Sequence, residues 1–456
     1  MELRKWQHEC IELALEKYKS GQEHFLVQAT PAAGKTFMTA NLAKRLLNNG
    51  DIDLVLCFSP SSIVSSEFSA VLSEITKYSF DGKLGARGQS ITYQKMAYLD
   101  ENFWALFEKF KVLAVFDEIH HCCGTHNDNS NEWGKQIIKN IQAKATYTLA
   151  LSGTPWRSDA APISLSKYST DQGQIKCDYV YGLSDAINDN VCRIPKIVII
   201  DNDEITLSNS SSTRSFNNFG ELLTKSTLRY QEIISNEDVI TNLIKRADSQ
   251  LDSIRENNPM AGGLIVAASV EHAEQIIRII KKEINEDAVI VSYKEENPGA
   301  IIRNYKQSLN KWIVSIGMIS EGTNIPRLQV CCHLTHIKTE LHYRQILGRI
   351  LRITSEENQE AILFMPAEPM LVEYAYRISE DIPFQANIIS FETIEKSNFG
   401  SKNIANISST SRYSDEKNID ALILSIQGSF TNSVLTETYE NMTNSFGKFS
   451  QEVIDF

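Results

Sequence analysis

The sequence predicts an α/β protein in which two parallel sheets, each covered by helices, follow one another along the chain. In the first half, short apolar runs alternate with amphipathic helical stretches, and the same alternation starts again at Gly263. Strands that alternate with helices pair in parallel and are buried on both faces. At 456 residues the chain is also too long for one ordinary domain. We therefore expect two α/β domains in tandem.

The bulk composition is typical of a globular protein. Hydrophobic residues make up 42% of the chain and charged residues 22%. No apolar run approaches the length that spans a bilayer, and the first residues do not resemble a secretory leader, so we expect a cytoplasmic protein. The net charge of −12 argues against a protein that coats nucleic acid non-specifically. It leaves room for a local groove that follows a phosphate backbone.

The apolar runs that predict strands fall into two sets. In the first half they lie near 24–29, 53–59, 112–117 and 147–151. In the second half they lie near 263–268, 288–291, 312–316, 330–334 and 361–364. Helices are predicted between them, at 270–284 and from Pro298 to 309, since proline is favoured at a helix start.

These sets divide the chain into four parts. Residues 1–185 are predicted to form the first domain, 186–258 a connector or insertion, 259–385 the second domain and 386–456 a C-terminal tail. Within the connector, 208–219 is rich in Ser and Asn and predicts a surface loop, whereas 220–235 and 237–257 predict helices. The tail is rich in Ser, Asn and Thr, so we expect it to be partly disordered or to dock elsewhere.

A phosphate-binding loop follows the first predicted strand. The segment Ala29-Thr30-Pro31-Ala32-Ala33-Gly34-Lys35-Thr36 lies between an apolar run and a helical stretch, which is the context such a loop requires. The residues from Thr30 to Thr36 are expected to surround the phosphates of ATP and, except for Pro31, to offer them backbone N–H groups. Lys35 would reach the β- and γ-phosphates, and Thr36 would hold Mg²⁺. Ala29 and Ala33 stand where glycine is common, and Ala is tolerated there if its φ is negative.

An acidic pair, Asp117-Glu118, ends the apolar run from Val112 to Phe116. A strand there would deliver Asp117 to the metal and Glu118 to an attacking water. A Gly-Lys-Thr sequence alone occurs often by chance. The two segments together, each after its own buried strand, predict ATP hydrolysis.

Adjacent cysteines, Cys122-Cys123 and Cys331-Cys332, lie near several histidines and raise the question of a zinc site. Neighbouring cysteines seldom both ligate one zinc ion, and the spacings match no zinc motif. We interpret them as reduced thiols on strands or loops.

The phosphate loop and the acidic pair, together with further segments, resemble the superfamily 2 helicases, specifically the DEAD/DEAH-box ATPases related to the motor subunits of restriction enzymes. The resemblance covers about residues 1–375, and its motifs occur in the family's order. It implies two RecA-like domains with ATP and Mg²⁺ in the cleft between them. Leu3-Arg4-Lys5-Trp6-Gln7 resembles the family's entry motif, which implies nucleotide contacts from Arg4 and Gln7.

Motifs III and V of the family also have counterparts. Ser152-Gly153-Thr154-Pro155 resembles motif III, and the resemblance implies that Ser152 and Thr154, with His120, couple the ATP site to nucleic acid. A turn with a helix cap is the alternative interpretation. Glu321-Gly322-Thr323-Asn324 resembles motif V and implies nucleotide contacts from Gly322 and Asn324. The family usually has Asp at the position of Asn324, and Asn keeps the hydrogen bonds without the charge.

The segment Gln345-Ile346-Leu347-Gly348-Arg349-Ile350-Leu351-Arg352 resembles motif VI. Helical spacing predicts Gln345, Arg349 and Arg352 on one face. The resemblance implies that Arg349 and Arg352 are arginine fingers that neutralise charge on the γ-phosphate, and that Gln345 contacts phosphate or water. An exposed basic helix face is the alternative.

Polar loops after several predicted strands resemble the family's nucleic-acid contacts. Their hydroxyl and backbone N–H groups would touch the sugar-phosphate backbone without reading bases. Each taken alone is a loop or helix cap, and together on one rim they indicate a groove that follows a strand. The residues are Pro60, Ser61, Thr92, Tyr93, Gln94 and Ser269.

The sequence therefore predicts a nucleic-acid-stimulated ATPase that steps along a strand, with DNA favoured over RNA because the motif forms resemble those of DNA-acting members. A translocase, remodeller or annealing ATPase without strand separation shares all these motifs. A different class is a regulatory or assembly subunit whose nucleotide state controls a partner, such as a nuclease in a defence or restriction system. The acidic charge and the polar tail are compatible with that class.

Overall fold

A computed structural model describes most of the chain. It covers residues 2–124, 130–155, 161–168, 175–208, 213–292, 294–317, 325–354, 360–380, 388–391, 443–446 and 449–455. Within these ranges no helix is both long and apolar enough to cross a bilayer.

The first half of the chain folds around a six-stranded parallel sheet. Its strands and their neighbours are, in chain order, β1 (His24–Ala29), β2 (Leu54–Ser59), β3 (Gly88–Thr92), β4 (Val112–Asp117), β5 (Tyr147–Ser152), β6 (Lys167–Tyr168), β7 (Ile175–Lys176) and β8 (Tyr179–Tyr181). The sheet has the order β3-β2-β4-β5-β1-β8, and β6 with β7 forms a separate antiparallel pair. Within the six-stranded sheet, every pair of neighbouring strands is parallel.

Helices cover both faces of this sheet, as a run of consecutive apolar residues requires. They are α1 (Lys5–Lys19), α2 (Lys35–Asn49), α3 (Ser62–Thr76), α4 (Tyr93–Met96), α5 (Glu101–Trp104), α6 (Leu106–Lys109), α7 (Glu132–Asn140) and α8 (Leu183–Asn188), with a short 3₁₀ turn at Ile119–His121. Successive residues of β4 enter opposite cores: Leu113 and Val115 pack with Trp6 and Met38, while Ala114 packs on the other face with Ile137.

The second half forms a larger mixed sheet. Its strands are β9 (Ile194–Asn202), β10 (Ile205–Ser208), β11 (Thr213–Phe216), β12 (Gly262–Ala267), β13 (Ala288–Val291), β14 (Trp312–Ser315), β15 (Leu328–Leu334), β16 (Glu360–Pro366), β17 (Ile388–Phe391), β18 (Thr443–Phe446) and β19 (Phe449–Asp455). Eight of them pair in the order β13-β14-β12-β15-β16-β9-β19-β17, and β11-β10-β18 forms a small sheet. Within this sheet β19 runs antiparallel to both of its neighbours, β9 and β17.

The helices of the second half begin where capping residues stand. They are α9 (Phe219–Lys225), α10 (Tyr230–Ile234), α11 (Glu237–Asn257), α12 (Val270–Glu283), α13 (Pro298–Gln307), α14 (Glu340–Ile350) and α15 (Pro369–Glu380). Side chains of Asn236, Ser269 and Thr339 each accept a backbone N–H from the first turn. Pro298 opens α13 as predicted. A parallel sheet in the first half and a largely parallel sheet in the second, each flanked by helices, confirm the predicted α/β fold class.

Two segments join the second sheet that the sequence pattern did not assign to it. The run Ile197 to Ile200 lies in the range predicted as connector, yet β9 pairs in parallel with β16 and is almost fully buried. In the predicted tail, β19 pairs with β9 and buries Ile454 completely. Apolar side chains on these strands find cover only in the second sheet, which is why they dock there. The exact division of the chain into domains stays a prediction.

Candidate ATP site and nucleic-acid rim

The predicted catalytic segments leave the first sheet at one edge. In this sheet β5 lies between β1 and β4, with Gln28 opposite Ser152 and Leu151 opposite Asp117. Because the strands are parallel, their carboxyl ends meet at the same edge. The phosphate loop, motif III and the acidic pair therefore emerge side by side.

The phosphate loop turns through two residues with positive φ. Gly34 has φ of 95° and Ala32 has φ of 70°. A Cβ at Gly34 would lie 2.7 Å from Nε2 of Gln7, so both backbone and space require glycine there. Ala29 and Ala33 keep negative φ, which is the condition under which alanine is tolerated. Ala32 carries the strain instead, about 1–2 kcal/mol for a residue with a Cβ.

The entry segment, Leu3 to Gln7, is hydrogen-bonded to the phosphate loop. The Arg4 guanidinium donates to the carbonyl of Ala33 (2.8 Å), and Nε2 of Gln7 donates to the carbonyl of Gly34 (3.0 Å). The amide oxygen of Gln7 accepts the backbone N–H of Arg4 (2.9 Å). Trp6 stacks on Tyr181, with ring centroids 4.9 Å apart. Arg4 and Gln7 thus hold the backbone of the phosphate loop, and their predicted contacts with the nucleotide stay predictions.

Lys35 and Glu118 form the charged centre of the site. The Lys35 ammonium lies 3.0 Å from the carbonyl oxygen of Ala29 and 3.5 Å from Oε1 of Glu118. Burial alone would raise the pKa of Glu118, but the charge of Lys35 and then that of His120 hold this pKa below its ordinary value. Glu118 is therefore ionised at neutral pH, as an acceptor of a water proton must be.

Asp117 and Thr36 supply the oxygen atoms suited to a magnesium ion. Thr36 lies in the first turn of α2, and Asp117 is the last residue of β4. Burial and then the negative charge of Glu118 raise the pKa of Asp117. A hydroxyl and a carboxylate are ligands that Mg²⁺ prefers. This donor set fits the ion that the sequence predicts.

Ser152 links the acidic motif to motif III. Its hydroxyl lies 2.9 Å from Nδ1 of His120 and accepts the backbone N–H of Thr154 at 3.0 Å. The backbone N–H of Gly153 reaches Oε2 of Glu118 at 3.4 Å. His120, Ser152 and Thr154 are all buried. The structure thus brings the three predicted coupling residues into one network with Glu118.

The second half of the chain touches the phosphate loop at Pro31. A Cβ at Gly348 would lie 2.5 Å from Cβ of Pro31, and a Cβ at Gly153 would lie 3.3 Å from its Cδ. Pro31 is therefore held between the glycines of motifs III and VI. The sequence showed only that a glycine interrupts the motif VI helix, and its close approach to Pro31 was not predicted.

Motif VI is only partly helical. Gln345 and Arg349 lie within α14, but this helix ends at Ile350. The prediction that Arg352 shares the helix face is therefore wrong: Arg352 lies beyond the helix, bridged to Cys192. The neighbouring Arg193, which the sequence did not single out, pairs its N–H with the carbonyl of Leu351 at 2.8 Å. Burial lowers the pKa of Arg352 to about 10, which leaves it protonated at neutral pH.

Motif V lies outside the described residues at Gly322 and Asn324. Their predicted nucleotide contacts stay predictions. The segment that follows is described from Ile325, and Arg327 there is a structural residue. Its guanidinium donates to the carbonyls of Met260, Tyr305 and Asn310 at 2.6–2.8 Å.

The predicted nucleic-acid contacts divide into rim and core. Gln94 is exposed, and its Nε2 donates to the carbonyl of the buried Pro60 at 3.3 Å, which joins the motif Ia and Ib loops. Ser61 and Ser269 act as helix caps, since their hydroxyls accept N–H groups of Val64 and His272. Thr92 is half-buried at the start of α4.

Tyr93 does not belong to the rim. Its side chain is 0% exposed, so the prediction that this side chain contacts nucleic acid is wrong. A tyrosine at the first position of α4 projects between the sheet and α7 rather than toward solvent. Its ring stacks on Trp133 of that helix.

Comparison with known proteins places these features in a family. Residues 1–157 match the family described as "Type III restriction enzyme, res subunit", and residues 244–354 match "Helicase conserved C-terminal domain". An uncharacterized protein of Mycobacterium tuberculosis, Rv2917, is 29% identical over 389 residues, and one of Mycobacterium leprae is 28% identical over 388. These alignments cover 82% of this chain. The chain spans 62% of the length of the first of these relatives.

Solved structures share the fold at low sequence identity. A putative HsdR subunit of a type I restriction enzyme from Vibrio vulnificus has a TM-score of 0.54 at 15% identity, covering 80% of this chain and 63% of that one. The Type ISP restriction-modification enzyme LlaBIII, bound to DNA, has a TM-score of 0.54 at 13% identity, covering 84% and 30%. A variant of S. cerevisiae Dbp5, bound to RNA and ADP BeF3, has a TM-score of 0.51 at 13% identity, covering 84% and 88%.

The two sheets and the motifs at their edges define tandem RecA-like domains of the helicase type. Within that class, the family matches over residues 1–157 and 244–354 identify the chain as similar to the superfamily 2 helicases related to restriction-enzyme motor subunits. The predicted family is thereby confirmed.

Proposed function

We propose that this chain is an ATP-driven motor that moves along DNA, and that nucleic acid stimulates its ATP hydrolysis. The observation that carries the proposal is the Lys35–Glu118 pair at the phosphate loop, against which the motif VI helix packs through Gly348. A charged catalytic centre at a contact between two domains is the arrangement in which nucleotide binding and domain closure are coupled.

The proposed reaction is an in-line attack of water on the γ-phosphorus of ATP, in which the bond to the β,γ-bridging oxygen breaks and ADP leaves. Glu118 orients the water and accepts its proton, since its carboxylate is ionised and held by the Gly153 N–H. Lys35 leaves its contact with Glu118 for the β- and γ-phosphates. Arg349 and Arg352 neutralise the charge that develops on the γ-phosphate. Mg²⁺, when held by Thr36 and Asp117, would offset the charge of the β- and γ-phosphate oxygens.

The same geometry supports the proposed motion of the protein along a nucleic-acid strand. Gln94 donates a hydrogen bond to the carbonyl of Pro60 in the motif Ia loop. Ser152 contacts His120, whose ring lies 3.4 Å from the Glu118 carboxylate. Opening and closing of the cleft would then change the distance between the strand contacts of the two domains. The match of residues 1–157 to a restriction-enzyme family supports DNA over RNA as the strand.

The test is ATP turnover of the purified chain with single-stranded, duplex and forked DNA, with RNA, and with hybrid duplexes. We expect DNA to raise the rate of ATP turnover at least tenfold. Lys35→Ala and Glu118→Gln should each lower this rate by several orders of magnitude. Lys19→Ala, at an exposed lysine at the end of α1 that belongs neither to the predicted ATP site nor to the predicted rim, serves as the control for folding.

Unchanged turnover in Lys35→Ala or Glu118→Gln would exclude the assigned mechanism. Failure of every nucleic acid to stimulate would instead favour a nucleotide-dependent regulatory subunit that acts on a partner such as a nuclease. Strand displacement on tailed duplexes separates a helicase from a translocase that hydrolyses ATP without unwinding.

A further inference from the structure

Tyr93 makes a buried contact between the rim and the catalytic strand. Its hydroxyl donates to the backbone carbonyl of Asp117 at 2.7 Å, and its ring stacks on Trp133 with centroids 5.5 Å apart. Tyr93 follows β3, whereas Asp117 ends β4, and β2 lies between these strands in the sheet. The hydrogen bond therefore spans two strand ends that no ladder bond connects.

The carbonyl that Tyr93 holds belongs to the peptide between Asp117 and Glu118. Glu118 has φ of 51° and ψ of 54°, a left-handed conformation that costs a residue with a Cβ about 1 kcal/mol or more. Because the peptide unit is planar, the direction of the Asp117 carbonyl and the φ of Glu118 are coupled. A hydrogen bond to that carbonyl thus opposes the rotation that would relieve the strain and turn the Glu118 carboxylate away.

The other end of Tyr93 is attached to the rim. Its chain neighbours are Thr92, at the end of β3, and the exposed Gln94, which donates to the carbonyl of Pro60. A bound nucleic-acid strand that displaces Gln94 or the motif Ia loop would also displace the backbone of Tyr93. Since the buried ring is clamped by Trp133, the shift would be passed to the Asp117–Glu118 peptide.

We propose that Tyr93 is a positioning residue: its hydroxyl fixes the peptide that orients Glu118 and so links the nucleic-acid rim to the water-activating carboxylate. This inference rests on the proposed ATPase function. It adds a second connection, on the β3 side of the site, to the one that Ser152 makes with His120.

The test is a comparison of Tyr93→Phe with Tyr18→Phe. Tyr18 is a buried tyrosine of the same domain whose hydroxyl donates to a backbone carbonyl, that of Thr148, at 2.9 Å. Both changes delete one buried hydroxyl, and only the first touches the site. For each variant, kcat and KM for ATP are measured with and without DNA, together with the thermal midpoint.

We expect Tyr93→Phe to lower kcat by about tenfold or more and to leave KM for ATP unchanged. The reason is that the Glu118 carboxylate, which would be misplaced, acts only in the chemical step. The ratio of DNA-stimulated to basal turnover should also fall. Tyr18→Phe should keep the wild-type kcat at a similar loss of thermal midpoint. Trp133→Phe, which thins the ring stack and keeps the hydroxyl, should retain most of kcat.

A wild-type kcat in Tyr93→Phe would overturn the inference. It would also be overturned if Tyr18→Phe or Trp133→Phe lowered kcat as much as Tyr93→Phe does. A wild-type enzyme that hydrolyses ATP without stimulation by any nucleic acid refutes the motor function alone. In that case the basal kcat of Tyr93→Phe against Tyr18→Phe still decides whether the hydroxyl positions Glu118.

Discussion

At the scale of single residues, Gly348 is fixed by a neighbour that lies far away in the sequence. It is buried within α14, and any Cβ there would overlap Pro31 of the phosphate loop. A glycine inside a helix ordinarily costs about 0.5–1 kcal/mol relative to alanine. Close packing of motif VI on the phosphate loop explains why the residue is nevertheless glycine.

We predict that Gly348→Ala lowers ATP turnover by about a hundredfold, since a methyl group at this contact holds the arginine helix away from the loop. The loss of unfolding free energy should stay near 1–3 kcal/mol, as for other overpacked sites. Steady-state kinetics and urea unfolding provide the two measurements.

Gly299→Ala is the matched control for this change. Gly299 also lies in a helix of the second half, but its added Cβ meets only side-chain ends, Nη1 of Arg303 at 3.3 Å and Oδ1 of Asn297 at 3.7 Å. This variant should be neutral or slightly stabilising and keep wild-type turnover. Equal turnover in Gly348→Ala and wild type would show that the contact with Pro31 is not needed for catalysis.

Asp201 has a buried carboxyl group that contributes to the pH dependence of the free energy of unfolding. Burial raises its pKa to about 7, although it accepts the backbone N–H groups of Phe219 and Asn202, both at 2.8 Å. The folded state therefore binds a proton that the unfolded state, with an ordinary Asp pKa near 4, has lost. Its stabilising contribution is complete below about pH 4 and lost as the pH rises through about 7.

We predict that Asp201→Asn is more stable than wild type at pH 8, by about 1–3 kcal/mol, and about equal to it at pH 5. The asparagine oxygen still accepts both N–H groups, and no charge is buried. Urea unfolding at several pH values between 5 and 8 measures the difference between the two proteins. Parallel pH curves for both would contradict the assignment.

At the scale of elements, the segment that enters the second sheet also holds the end of the motif VI helix. Arg193 is 0% exposed, and its guanidinium donates to the carbonyls of Leu328 (2.5 Å), Ile350 (3.0 Å) and Pro326 (3.0 Å). The carbonyl of Ile350 is at the C-terminus of α14, where a cation is favoured. Arg193 thereby joins three separate elements: β9, β15 and α14.

We predict that Arg193→Met destabilises the protein by about 3 kcal/mol or more, because three carbonyls are left without this donor in a buried region. Arg377→Met is the control, since Arg377 is half-exposed and its ion pairs with Glu340 and Glu373 should contribute less than about 1 kcal/mol. Urea unfolding of both variants distinguishes the two cases. Similar losses would show that the Arg193 contacts add nothing specific.

Elements with continuous apolar runs were predicted closely. The strands at 24–29 and 112–117 have the predicted bounds, and the helix at 237–257 does as well. The strand β3 was missed, because Gly88 to Thr92 is short and has a single apolar side chain, Ile91. It is recognised by its pairing with β2. The loop expected at 208–219 partly forms strand β11, which is recognised by its antiparallel pairing with β10, from Ile205 opposite Phe216 to Ser208 opposite Thr213.

At the scale of the whole molecule, the candidate site is shared between the two halves of the chain. The phosphate loop and the acidic pair come from the first sheet, whereas Gln345 and Arg349 come from α14 of the second half. Contact at Pro31 and Gly348 joins these parts. We assign ATP binding to the first half and ATP hydrolysis to both halves together. A substitution in the second half should therefore impair hydrolysis without impairing binding.

We predict that Arg349→Ala binds ATP with wild-type affinity and lowers kcat by about a thousandfold, as expected for loss of an arginine finger. Arg344→Ala, on the same helix and paired with Glu340 at 2.8 Å, should keep kcat near wild type. Equilibrium nucleotide binding and single-turnover hydrolysis measure the two quantities. A kcat within tenfold of wild type in Arg349→Ala would exclude its assigned role.

The sequence by itself determined the fold class, the family and the segments that bear the chemistry, because these depend on local patterns: apolar runs, a Gly-Lys-Thr loop and an acidic pair. It also located Lys35, Glu118 and Ser152, which the structure brings into one network.

Only the tertiary structure decided which of those side chains face the cleft and which hold it in place. Tyr93 is in the core, Arg352 is beyond its helix, and Arg193 and β19 belong to the second sheet. Each of these placements depends on partners tens to hundreds of residues away. Burial and hydrogen bonding between such partners follow from how the sheets and helices pack, and this packing leaves no periodic signal in the chain.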